Sequence, residues 1–164
     1  MTWQPVNAQE LSKDQAYDLA YSALQALLKD KRPDEVAFMA TLSSLLKTLL
    51  KTAFWVGFYR KVDGERLVVG PYQGTPGCLE IKVGMGVCGK AAQTGEDVIV
   101  DDVHEFPGHI ACDERSRSEV VLPVFVDGDV HAVLDLDSDE PGSFDETDVR
   151  RLREMLELYW PCNT

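Results

Sequence analysis

Apolar residues recur every three or four positions across residues 8–29, at Ala8, Leu11, Ala16, Leu19, Ala20, Ala23, Leu24 and Leu27, which is the spacing of one helical face. Pro33 and Asp34 open a second stretch of this kind, in which Val36, Phe38, Met39, Leu42, Leu45, Leu46, Leu49 and Leu50 mark a stripe wide enough to be buried. At Phe54 the period changes. FWVGFYRKV is aromatic and β-branched, Asp63-Gly64 supplies a turn, and RLVVGPYQG returns, so a β-hairpin is predicted. CLEIKV reads as a third strand. GMGVCGKAAQTGE reads as a short helix with Gly89 near its start and Gly95 at its end, and DVIVDDV as another short strand. From His104 to Ser118 there is little periodicity, and Pro107 and Gly108 mark a long loop of the kind that usually carries function in a compact domain.

EVVLPVFVDGDVHAVLDLDS gives two strands about an Asp-Gly turn. PGSFDETDVRRLREMLELYW closes the chain as a helix capped by Ser143 or Asp145, with Val149, Leu152, Met155, Leu156 and Tyr159 as its stripe. The order predicts an α+β fold: a central antiparallel sheet of about six strands, flanked by the N-terminal helices and a C-terminal helix, in one domain over residues 1–164.

Charge and composition narrow the function. A formal charge of −12 and a pI near 4.6 repel phosphate backbones, and the sixteen Lys and Arg are scattered, so nucleic acid is not an expected partner. The first residues carry no basic stretch leading into an apolar run, and no run of about eighteen apolar residues occurs. A cytoplasmic chain with no membrane partner is expected, and in that reducing setting a structural disulfide framework is improbable.

The cysteines therefore need another reason. Cys78, Cys88 and Cys112 are spaced by ten and twenty-four residues, with no CxxC pair, which suits neither a zinc ribbon nor a thioredoxin-type dithiol. They form a set of thiols that only the fold can gather. One thiolate of such a set can attack a substrate while another resolves the product as a disulfide. Cys162, two residues from the C-terminus, is not expected to take part. His104, His109 and Cys112 make an H-x4-H-x2-C run without the companions of a metal motif, so neither a metal nor a cofactor is expected. His109 is read either as a group stabilising the Cys112 thiolate or as a backbone hydrogen-bond partner. Gly84, Gly86 and Gly89 imitate a phosphate loop outside its strand-turn-helix setting, and close packing of a short helix accounts for them better.

The segments QGTPGCLEIKVGMGVCG, DVHEFPGHIACDERSRSEVVLPV and VLDLDS together resemble the free methionine-(R)-sulfoxide reductases, single-domain proteins with the GAF fold. The likeness spans roughly residues 54 to 148 and includes all three clustered cysteines; Gly77 and Glu80 depart from the common pattern. It implies reduction of the free R epimer of methionine sulfoxide to methionine, with thioredoxin as the final reductant. A sulfoxide needs a thiolate nucleophile and an acid to protonate its oxygen. The resemblance implies Cys112 as nucleophile, Cys78 as first choice of resolver with Cys88 as the other, and Glu119 and Asp137 as acid candidates. Glu119, Asp135 and Asp137 suit the substrate ammonium, and Asp135 and Asp137, two apart on one strand, point to one side of the sheet. Trp55 and Tyr59, four apart on the first strand, resemble the aromatic wall of the family's pocket. The substrate carboxylate is expected on backbone amides of the CDERSRSE loop or at the start of the GVCG helix. The alternative is a non-catalytic GAF module that binds a small molecule or senses oxidation. Absence of an effector segment favours the enzyme, and pairing of two chains through the N-terminal helices stays open.

Overall fold

The computed structural model describes residues 3–4, 6–30 and 32–161; Cys162 lies outside them. The elements run α1 (Lys13–Leu28), α2 (Glu35–Leu49), β1 (Trp55–Lys61), β2 (Arg66–Gln73), β3 (Glu80–Lys82), α3 (Gly86–Thr94), β4 (Val98–Val100), β5 (Ser118–Val126), β6 (Asp129–Ser138) and α4 (Glu146–Glu157). The six strands form one antiparallel sheet in the order β3-β2-β1-β6-β5-β4, with β1 and β6 paired at its centre. This is the α+β arrangement that the periodicity predicts.

Capping decides where the helices begin, and it corrects the periodicity at both ends of the chain. Residues 8–29 are not one helix: Ala8–Glu10 is a 3₁₀ turn, and α1 starts only after Ser12. There the Ser12 hydroxyl accepts from the Gln15 amide while the Gln15 side chain accepts from the Ser12 amide. The Asp34 carboxylate accepts from the amides of Val36 and Ala37 and opens α2. In the last helix Asp145 is the cap and Ser143 is not, because Ser143 is engaged with Ser138 and the Glu140 carbonyl. Asp148 completes a capping box with Asp145 and also accepts from the Tyr17 hydroxyl at 2.7 Å and from the Lys13 ammonium at 2.6 Å. This one buried carboxylate thus ties α4 to α1. At the β5–β6 turn Asp127 and Gly128 both have positive φ, 52° and 85°, the left-handed pair that an Asp-Gly hairpin supplies.

The two faces of the sheet have different covers. On one face Val56, Phe58, Val120, Leu122, Val124, Leu134 and Leu136 pack under α1, α2 and α4 against Phe38, Leu42, Leu46, Leu152 and Met155. Each such side chain is worth roughly 1.5–3 kcal/mol when withdrawn from water. On the other face Trp55, Tyr59, Val121 and Val133 lie with Val87, Cys88 and Ala91 of α3 and with Val103 and Ile110 of the long loop. Strand alternation makes this division, so residues of one parity belong to the structural core and those of the other face a short helix and a loop.

Gly89 sets the height of α3 above that second face. A methyl group there would lie 2.5 Å from the Lys82 carbonyl oxygen and 3.1 Å from the Gly84 nitrogen, and the Gly84 amide donates to the Gly89 carbonyl at 2.8 Å. The Gly84, Gly86 and Gly89 spacing therefore serves close packing. The substitution Gly89→Ala is expected to cost about 1–3 kcal/mol by forcing α3 away from backbone atoms that cannot yield. Urea unfolding measures this, and an unchanged midpoint would show that α3 can shift freely.

Candidate active site

Register across the three central strands assembles an acidic patch. On β6, Asp137 is paired with Trp55 of β1 on one side and Glu119 of β5 on the other, while Asp135 is paired with Gly57 and Val121. Directly opposed residues have Cβ atoms about 4.5–5.5 Å apart, so period two and register together bring these groups to one wall. Gly57 is required beside them. A side chain there would begin 2.7 Å from the Trp55 ring and 2.3 Å from Tyr72 Cβ. The vacated space lets Trp55 stack between Tyr59 and Tyr72, with ring centroids 5.8 and 5.2 Å away.

α3 lowers Cys88 onto this patch. Its thiol donates to Asp135 Oδ2 at 3.2 Å and stands 3.9 Å from Glu119 Oε1. Cys88 is 3% exposed, Glu119 and Asp135 5% each. The other carboxylate oxygen of Asp135, Oδ1, is buried without a hydrogen-bond partner. These groups line a cavity of about 500 Å³, part of it open to solvent, with Trp55, Tyr59, Ile81, Met85, Ile110 and Cys112 among its other walls.

Electrostatics here follow from burial. Two full charges about 4 Å apart repel by roughly 4 kcal/mol at an effective dielectric near 20, before any loss of hydration. Burial, and then the charges of Asp135 and Asp137, push the Glu119 carboxyl well above its ordinary range. Burial and then Asp137 do the same to Asp135. Asp137 is raised to about 6 by burial, while a hydrogen bond from the Ser116 hydroxyl at 2.6 Å works against the rise. Cys88 is lifted by burial and by both neighbouring acids, so it rests as a thiol. Burial likewise raises Tyr59. His109 has Nε2 3.7 Å from Glu119 Oε2, and burial lowers its pKa. Glu119 and Asp135 are also hydrogen-bonded to each other, so the wall holds a proton at neutral pH.

Two loops beside the cavity are joined through sulfur. Cys78, in the loop before β3, is disulfide-bonded to Cys112 of the long loop, with Cα atoms 5.3 Å apart. Polar contacts hold the same loops together. Across the loops the Thr75 hydroxyl donates to Asp113 Oδ2 at 2.7 Å and Arg115 Nη2 donates to Thr75 Oγ1 at 3.3 Å; Arg115 also pairs with Asp113 within its own loop at 2.7 Å, and the Trp55 indole of β1 donates to the Thr75 carbonyl at 3.0 Å. The Arg115 guanidinium also lies 4.7 Å from the Phe54 ring centre. Hydrogen bonds from Arg115 hold Asp113 well below the usual carboxylate range.

Of the residues that the sequence nominates, Trp55, Tyr59, Cys88, Cys112, Glu119, Asp135 and Asp137 all line this cavity, and Cys78 joins it through Cys112. His104 does not: it is exposed beside Asp102, at 3.5 Å, and with Cys112 engaged in the disulfide the His104-His109-Cys112 run assembles no ligand set. Asp102 caps the 3₁₀ turn Val103–Glu105 and pairs with Arg117 at 3.2 Å. Sequence reasoning missed Ser116 and the Thr75, Asp113 and Arg115 contacts. Their only signal was membership of segments rich in small polar residues, since their partners lie far away in sequence. The sulfur of Cys88 and one carboxylate oxygen each of Glu119 and Asp135 lie within 4.8 Å of one another, which makes them a potential ligand set for a cation.

The buried acids have a pH signature. Asp137 moves from 3.8 to about 6 on folding, so between those values the folded chain binds more protons than the unfolded one and stability falls as pH rises. The substitution Asp137→Asn removes this part of the slope. Relative to wild type the variant is expected to gain stability as pH climbs from about 4 through about 6. Urea unfolding across that window tests it; parallel curves would show that Asp137 titrates normally.

Comparison with known proteins shows the family and the fold. The GAF domain family model matches residues 35–162. Protein YtsP of Bacillus subtilis is 44% identical, with 93% of each chain covered. The free methionine-R-sulfoxide reductase of Escherichia coli is 45% identical over 74% of this chain and 75% of its own. The X-ray structure of the free methionine-R-sulfoxide reductase of Neisseria meningitidis in complex with its substrate superposes with a TM-score of 0.83 at 40% identity, covering 91% of this chain and 90% of that one. Among the described residues no helix is long and apolar enough to cross a membrane. With its acid-walled cavity and paired loop cysteines on a GAF sheet, the chain belongs to the free methionine-R-sulfoxide reductase family of GAF-domain proteins.

Proposed function

We propose that the protein reduces free L-methionine-(R)-sulfoxide to L-methionine. The observation that carries this reading is that Cys112, bonded to Cys78, lines a cavity walled by three raised carboxyl groups and two stacked aromatics. Identity of 45% to the Escherichia coli protein named for this activity supports it.

In the first step the Cys112 thiolate attacks the sulfoxide sulfur. A carboxyl group of the cavity wall, Glu119 or Asp137, gives a proton to the oxygen as it departs, which a carboxylic acid of ordinary pKa would not hold at neutral pH. The products are methionine and a sulfenic acid on Cys112. The Cys78 thiol then displaces water from that sulfenic acid and forms the disulfide. A dithiol reductant of the thioredoxin type exchanges with it and returns both thiols. Cys88, a buried neutral thiol bonded to Asp135, is less suited to resolve the sulfenic acid than Cys78.

Recognition follows from charge. The substrate ammonium is held by the Asp135, Glu119 and Asp137 carboxyl groups, and the methyl sulfoxide end lies against Trp55 and Tyr59. The carboxylate takes backbone amides at the start of α3, whose first turn has no side-chain cap, or those of the loop around Ser116.

Single-turnover assays on reduced protein test the roles. The substitution Cys112→Ser is expected to abolish release of the first methionine. Cys78→Ser should spare that first turnover and lower steady-state rate with thioredoxin by a hundredfold or more. Asp135→Asn should raise KM at least tenfold. Tight binding of the R sulfoxide without product, or equal turnover of the S epimer, would replace this reading with that of a binding module.

A further inference from the structure

We propose that Thr75, Asp113 and Arg115 are positioning residues for the resolving step, a clasp that keeps the Cys78 thiol close to the Cys112 sulfenic acid. The inference rests on the reading of Cys112 as nucleophile and Cys78 as resolver. In that step the Cys78 sulfur bonds to the Cys112 sulfur, the S–O bond breaks, and the departing hydroxide leaves as water with the Cys78 proton. The step consumes nothing but the two sulfur groups, so its rate depends on how often they meet.

The clasp joins a residue close to each cysteine. Asp113 follows Cys112 directly, and Thr75 precedes Cys78 by three positions. The Asp113 carboxylate is grasped by the Arg115 fork: Nε donates to Oδ1 at 3.0 Å and Nη2 to Oδ2 at 2.7 Å, while the Arg115 amide donates to Oδ1 at 2.9 Å. Thr75 reaches across from the other loop. Its hydroxyl donates to Asp113 Oδ2 at 2.7 Å and accepts from Arg115 Nη2 at 3.3 Å, so this one group closes a ring of three side chains. An exposed ion pair alone contributes little. Here the pair is bidentate, and the guanidinium also lies 4.7 Å from the Phe54 ring centre, which limits its freedom.

The Thr75 side of the clasp is anchored on the cavity wall. The Trp55 indole donates to the Thr75 carbonyl at 3.0 Å. Glycines let the loop lie against the same rings: a methyl group at Gly74 would begin 2.7 Å from Trp55 Cδ1, and one at Gly77 would begin 3.1 Å from both the Trp55 ring and the Tyr59 hydroxyl. The Cys78 loop is thereby seated on β1, whereas residues 106–117, which carry Cys112, form neither helix nor strand. Thr75 catches that less regular segment next to its cysteine. None of these contacts is made by sulfur, so opening the disulfide breaks none of them directly. Without them the two thiols would be joined through a separation of 34 residues, and closing a loop of that length is slower and less favourable than closing a short one.

Closure rate and closure equilibrium test the clasp separately. Thr75 is not among the residues that line the cavity, so its hydroxyl can be removed without touching the substrate. With reduced protein and one equivalent of free methionine-(R)-sulfoxide, Thr75→Val should release methionine within twofold of the wild-type rate. Loss of the Cys78 and Cys112 thiols should slow at least tenfold, and the Cys112 sulfenic acid should become trappable by dimedone. Thr75→Ser, which keeps the hydroxyl, should close like wild type. In glutathione redox buffers, with no sulfoxide present, Thr75→Val and Arg115→Lys should each lower the equilibrium constant for the Cys78–Cys112 disulfide at least tenfold, about 30 mV; the lysine keeps the charge but not the fork. Circular dichroism verifies folding of each variant. An unchanged glutathione equilibrium in both variants, wild-type closure in Thr75→Val, or equal slowing of methionine release and closure overturns the proposal. If the wild-type protein releases no methionine, the functional reading fails and the glutathione equilibrium alone decides the clasp.

Discussion

A carboxylate withdrawn from water must find a cation, a donor or a proton, and Glu119, Asp135 and Asp137 have been withdrawn together. Among the described residues no lysine or arginine lines the cavity they share. Their donors are the Cys88 thiol, the Ser116 hydroxyl and, between Glu119 and Asp135, a proton held on one of the two, and His109 stands near Glu119. The deficit is met by protons held above the ordinary range and by whatever positively charged group enters. Contrast with Asp148 is instructive: it too is buried, yet Lys13, Tyr17 and the Asp145 amide satisfy it, and its role is to hold α1 to α4. One buried acid fastens the structure while the others wait for a visitor.

The same strands do both kinds of work because of parity. Along β6, Leu134 and Leu136 enter the core under the helices, while Asp135 and Asp137 enter the cavity on the other face. A slip of one residue in the pairing of β6 would put carboxylates into the helical core and leucines into the cavity. The core under α1, α2 and α4 thus specifies the register on which the site depends. The constraint extends to β1, where Gly57 gives up its side chain so that Trp55 can occupy the space beside Tyr72.

Much of this was legible in the sequence, for identifiable reasons. The strands of FWVGFYRKV and VHAVLDLDS could be read because their apolar positions alternate strongly, and that alternation already placed Asp135 and Asp137 on one side. The helical boundaries were less legible, since Ser12 and Asp145 act through hydrogen bonds that compete with other serines and aspartates nearby: Ser143 looked an equal cap until its hydroxyl is seen to bond Ser138 and the Glu140 carbonyl. Around the cavity, residues with distinctive chemistry were easily nominated, whereas Ser116 was not, because its importance comes from a partner twenty-one positions away. Loop residues lack period, and only folded geometry shows that Thr75 and Asp113 meet.

That meeting concerns the two loops after their sulfur bond opens. Thr75, Asp113, Arg115, Phe54 and Trp55 fasten the loops through oxygen, nitrogen and aromatic faces, none of which takes part in electron transfer. Bringing together free chain ends separated by 34 residues costs about 3 kcal/mol in conformational freedom. Contacts indifferent to redox state offset part of that cost. The two loops are thus joined twice, once through a bond that electrons can open and once through contacts that electrons do not touch, like a door hung on both a pin and a latch.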